Sequence, residues 1–171
     1  MRNILFILFL AVALNATAQD TATKQTLQFT ITGGVEKESL ITPDSLKQYK
    51  TVVIGDIKVT DHTGAFKHKD DDLKGVLLKD ILSHTKYKTS SPKLLSRFYF
   101  VCTGADGYKV VYSWNELYNT TVGDKVFIIT EKNGKGINEL PESIQMTSAS
   151  DFKTGRRYLH NLLKIAVEEV Q

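Results

Sequence analysis

Apolar and polar side chains alternate from Thr26 through Leu27, Gln28, Phe29 and Thr30 to Ile31, and Gly33-Gly34 follows. This period of two predicts a half-buried strand that the glycine pair ends. Thr42-Pro43-Asp44-Ser45-Leu46 predicts a helix start, with Thr42 as N-cap and Pro43 at the first helical position, in a short helix reaching Tyr49. Over 51–60 a strand is predicted in which Ile57 and Val59 oppose Asp56, Lys58 and Thr60. Asp61-His62-Thr63-Gly64 then supplies turn chemistry that returns the chain to His68 as a hairpin. The charged run 67–72 reads as a solvated loop, and 76–82 has apolar residues at helical spacing. Residues 98–103 are rich in aromatics without a period, which predicts a central strand buried on both faces. A loop at 104–107, a strand at 108–112 and a capping box from Ser113 to Glu116 come next. Strands are expected at 125–130, 143–148 and 162–167. With no repeat and no internal linker, residues 26–171 are expected to form one α+β domain.

The N-terminus has a different pattern. Met1-Arg2-Asn3, the apolar run 4–14 and the small-residue site Ala16-Thr17-Ala18 have the three parts of a secretory signal, so residues 1–18 are expected to be removed and 19–25 to be a flexible start. The run is too short to span a bilayer, which takes about 20 apolar residues. The expectation is a Sec-type exported protein, periplasmic or extracellular, with no membrane span. No Cys near the cleavage site offers a lipid attachment point.

Composition changes this picture little. The chain has 171 residues, 42% apolar and 24% charged, with a formal charge of +3, and both signs are scattered without a basic stripe. Nucleic acid is therefore not an expected partner. Cys102 stands alone, so no intramolecular disulfide is available; its parity with Phe98 and Phe100 makes it a buried, unreactive thiol. His62 and His68 suggest a metal, but on one strand face they would stand about 13 Å apart at strand rise, too far to share an ion. Asp106-Gly107-Tyr108 is a turn signature. Lys153, Arg156 and Arg157 form the one basic cluster without an intervening acid, readable as solvated charge or as a grip for phosphate or carboxylate. Trp114 and Tyr118 read as core packing. Asn119-Thr120-Thr121 fits a glycosylation sequon, of consequence only in a eukaryotic secretory pathway.

Laid out this way, residues 46–167 resemble the molybdopterin-binding domain of the sulfite oxidase family, in particular its small exported, stand-alone members. The resemblance rests on Val59-Thr60-Asp61-His62-x-Gly64, on Gly75 to Leu82, on Thr103-Gly104-Ala105-Asp106-Gly107-Tyr108 running on to Ser113 with Glu116-Leu117, and on Gly155-Arg156-Arg157-Tyr158-Leu159 leading to Lys164-Ile165-Ala166-Val167. It implies a mixed fold around a β-rich core. It also implies a cleft bordered by Asp61, His62, Thr103, Asp106, Gly107 and Tyr108, with Lys153, Arg156 and Arg157 at its edge. The family's catalytic members draw a molybdenum-binding thiolate from the segment around the first hairpin; here residues 54–64 contain no Cys, so the soft metal lacks its soft ligand. Where the family has a Gly-Pro-x-Arg element, this chain reads Leu140-Pro141-Glu142-Ser143. The signal carries a single Arg, unlike the twin-arginine route that exports folded, cofactor-loaded proteins. The expectation is an exported binding or accessory module without a cofactor, taking an anionic small molecule or an envelope protein partner. One alternative is an active molybdopterin oxidoreductase whose metal is held by Asp61, His62 or Cys102. The other is a structural module of an envelope complex.

Overall fold

A computed structural model describes residues 25–171. The expected signal, its cleavage site and most of 19–25 lie outside the described residues. Among the described residues ten strands form two five-stranded sheets. In the first, β1 (Phe29–Gly33), β2 (Ser39–Ile41), β5 (Phe98–Gly104), β6 (Lys109–Ser113) and β10 (Leu162–Glu169) lie in the order β2-β1-β10-β5-β6. The second carries β3 (Val52–Thr60), β4 (Phe66–Leu77), β7 (Val126–Lys132) and β8 (Lys135–Gly136) in sequence, with β9 (Gln145–Ser148) paired to β7. β1 and β10 run parallel, with Ile31 opposite Ile165. Gly33 sits so close to the Val167 carbonyl, at φ +88°, that any side chain there would overlap it. The class is α+β, as the alternating pattern predicts.

Among the described residues three short α-helices punctuate the strands. α1 (Pro43–Leu46) starts as read, with Thr42 and Ser45 capping each other, but ends three residues before Tyr49. α2 (Leu78–Leu82) starts two residues later than its periodicity suggests, because Val76 pairs with Ile128 in the sheet. α3 (Trp114–Tyr118) has the expected capping box, Ser113 Oγ accepting from the Glu116 N–H and the Glu116 carboxylate accepting from the Ser113 N–H. Trp114 stacks on Tyr118 at 5.0 Å against the main core.

The charged run 67–72 is strand, not loop. Its charges pair across and along the hairpin, Lys69 with both Asp56 and Asp71, so a solvated outer face imitates a loop in sequence. Irregular register at Gly55 and a positive φ at Asp72 break the alternation further. β5 also departs from expectation: Phe98, Phe100, Cys102 and Gly104 are buried while Tyr99, Val101 and Thr103 are half-buried, so one face meets the core and the other is partly open.

The main core fills the space between the sheets, with Phe29, Phe100, Leu82, Ile128 and Ile165 among its fully buried side chains. A second apolar cluster, Ile57, Val59, Leu73, Ile129 and Tyr158, lies on β3, β4 and β7 under residues 154–160. That stretch is a strap across the second sheet. Thr154 pins its head, its hydroxyl donating to the Lys58 carbonyl at 2.7 Å and accepting the Thr60 N–H at 3.1 Å.

Candidate functional site

Three segments singled out in the sequence converge on one surface: the β3–β4 turn, the β5–β6 turn and the strap. Asp61 organises the first. Its Oδ1 accepts the N–H groups of Thr63, Gly64 and Ala65 at 2.8–3.0 Å and the Thr63 hydroxyl at 2.6 Å. The Thr63 hydroxyl, joined by those N–H groups, holds the Asp61 carboxyl down at about 2. In the second turn Asp106 accepts the Tyr108 N–H at 2.9 Å, and Gly107 supplies φ +84°. Both carboxylates are engaged in building their turns.

The strap joins the two turns. The Arg156 guanidinium donates to the His62 carbonyl through Nε at 3.2 Å and Nη2 at 3.0 Å, while the Tyr108 hydroxyl donates to the Arg156 carbonyl at 2.8 Å. The stem of Lys153 lies over Gly64. Among the described residues, neither Lys153 nor Arg156 has a carboxylate within ion-pair distance. Both are exposed, and they border a shallow concavity of about 640 Å3 between Thr121-Val122 and residues 150–153, 156 and 157, Asp151 among them.

Arg157 belongs to a different set. It grips Asp151 with two parallel bonds of 2.7 and 2.6 Å, reaches Glu116 at 3.1 Å and lies over the Tyr112 ring at 4.6 Å. Its pKa is raised further, Asp151 being the main cause. The basic cluster is therefore two cations without a carboxylate partner, Arg156 being tied to the His62 carbonyl, and one ion-paired to Asp151 and to Glu116 of α3. Thr103 also stands apart, half-buried in the β5 ladder opposite Lys164 and Lys109. Cys102 is fully buried, and burial pushes its thiol up to about 12. Among the described residues no group of three or more His, Cys, Asp or Glu is assembled to hold a metal.

A buried polar group under the strap has no counterpart in the sequence reading. Lys132 Nζ lies 3.0 Å from Glu142, 3.1 Å from Gln145 Oε1 and 3.6 Å from Asp70. The Tyr158 hydroxyl donates to Asp70 at 2.7 Å, and His160 stacks on the Tyr158 ring at 5.0 Å. Burial above all, with Asp70 beside it, raises the Tyr158 pKa. Gln145 Nε2 and His160 Nδ1 are buried without a hydrogen-bond partner. Four separate segments contribute, and the one local signal was the i, i+2 spacing of Tyr158 and His160, which places both on one side of an extended chain.

No family model and no curated protein matches the chain. In structure it is similar to the sulfane dehydrogenase SoxCD of Paracoccus pantotrophus, with a TM-score of 0.60 at 14% sequence identity over 84% of this chain. The chain spans 38% of that protein's chain. At this identity the likeness shows a distant relationship of fold.

Proposed function

We propose that this protein is an exported binding or accessory module that keeps a sulfite oxidase-type fold without a molybdenum centre, and that it takes a phosphate- or carboxylate-bearing ligand beside Lys153 and Arg156, at the concavity between Thr121-Val122 and the strap. The observation that carries the reading is the pair Lys153 and Arg156, exposed, free of carboxylates and held beside a concavity by contacts to two separate loops. Lys153 keeps its full capacity for a charge-assisted bond, and Arg156, whose Nε and Nη2 donate to the His62 carbonyl, keeps its Nη1 for an anion.

The absence of a metal centre has its own support. The segment from which relatives draw their thiolate holds no Cys, and its inward side chains Ile57 and Val59 pack in an apolar cluster with Leu73, Ile129 and Tyr158. Those residues do not fit a soft metal, which needs a thiolate and an open position. The strap closes over them, with Gly155 packed against the Thr60 carbonyl. The fold that this chain shares at a distance with a sulfane dehydrogenase then serves as a scaffold, since function lives in sites rather than folds.

A thermal-shift screen of phosphate, sulfate and small di- and tricarboxylates tests the ligand class. Lys153→Ala with Arg156→Ala is expected to weaken the best anion at least about tenfold, some 1.4 kcal/mol, with little change in the unliganded melting temperature. Failure of every anion to stabilise the wild type, or equal binding by the double variant, would refute the ligand reading.

A further inference from the structure

The polar group beneath the strap supports an inference independent of the anion surface. His160 packs its ring on Tyr158 at 5.0 Å and 30°, and its Nδ1 is buried with no hydrogen-bond partner. The charges facing it come from several elements: Asp70 on β4, Lys132 on β7, Glu142 in the loop before β9, and Asp106 in the β5–β6 turn. The facing acceptors are largely committed. Glu142 Oε2 lies 3.8 Å from His160 but 3.0 Å from the Lys132 ammonium. Asp70 receives the Tyr158 hydroxyl at 2.7 Å and has Lys132 at 3.6 Å.

A second proton on the imidazole would thus place a cation within the field of the Lys132 ammonium, with the nearest carboxylate oxygen, Glu142 Oε2, beyond hydrogen-bond distance at 3.8 Å and already receiving Lys132. Burial accordingly lowers the His160 pKa, outweighing the pull of Glu142. The ring has an exit, since its side chain retains 40% of its exposure. Turning out to solvent removes the stack on Tyr158. Because Tyr158 and His160 flank Leu159, whose N–H and C=O both bond to Met146 at 2.8 Å, movement of the ring acts on the bridge that holds the strap's tail to β9. The head stays pinned by Thr154.

We propose that the strap is a proton-operated latch: proton uptake at His160 frees residues 158–160 from the second sheet and uncovers the apolar face that carries Ile57, Val59 and Leu73. The sign follows from linkage. A histidine whose pKa is lower in the closed state than the ordinary value of about 6.5 leaves the open state binding more protons below that value. The closed strap therefore has its full stability above about pH 6.5 and loses it as the pH falls toward the closed-state pKa. His68, on the outer rim with its side chain about half exposed, takes no part in the stack on Tyr158 and is the control.

Amide hydrogen exchange of the full chain, corrected for intrinsic rates and read at Leu159 and Met146 against the core amide of Ile165, tests the latch. Between about pH 7.5 and 5.5 the wild type is expected to lose protection at the bridge relative to Ile165. His160→Gln should abolish that loss, His68→Gln should keep it, and Tyr158→Phe should lower bridge protection at both pH values while keeping the pH step. The proposal is overturned if the wild-type bridge tracks Ile165 at both pH values, or if His160→Gln, with Ile165 still protected, keeps the step.

Discussion

Single side chains divide into those whose roles are local and those whose partners come from elsewhere. Cys102 is local: strand parity places it with Phe98 and Phe100, and it is fully buried with its thiol pushed up to about 12. It is expected to react slowly with a thiol reagent in the native state and quickly when denatured, and Cys102→Ser should cost about 1–3 kcal/mol by burying a hydroxyl without a partner. Fast native labelling would contradict that burial. Asp61 is local too, and its carboxyl at about 2 stands below the ordinary value near 3.9. Its contribution to stability is therefore fully present above about 3.9 and is lost as the pH falls through about 2. An NMR titration should find its midpoint near 2; a midpoint near the ordinary value would mean that the turn is not held in solution. Arg157 was not legible alone, since the Glu116 that engages it lies 41 positions away. The buried set of Asp70, Lys132, Gln145 and Tyr158 was illegible for the same reason, having members from four segments.

Among the elements, the strap decides most. Gly155 lies so close to the Thr60 carbonyl that an added Cβ would overlap it. Gly155→Ala should therefore lift the strap's head and destabilise the protein by about 1–3 kcal/mol, read as a lowered urea midpoint; an unchanged midpoint would mean that the strap does not seal the second cluster. Elements with a regular period or a cap, such as α1, α3 and β10, were readable because sequence and local energetics agree there. β4 was not, because Lys67 to Asp72 satisfy one another through ion pairs with β3 and resemble solvated loop residues. β8 escaped notice because it has two residues, set up by the positive φ of Asn133 and Gly134.

Over the whole molecule, two sheets enclose the main core, and the parallel pairing of β1 with β10 brings the two ends of the described chain together. The second sheet carries a smaller core on its other face, where Ile57 and Val59 are closed over by Tyr158. At its rim Lys153 and Arg156 stand without a carboxylate partner, and beneath it lies the buried group around Lys132. The central claim is that the fold persists without molybdenum. Elemental and pterin analysis of the protein, expressed with its own residues 1–18 in cells that make molybdenum cofactor, tests this most directly. The account predicts no stoichiometric molybdenum or pterin; near-stoichiometric molybdenum, lost on replacing Asp61, His62 or Cys102, would contradict it.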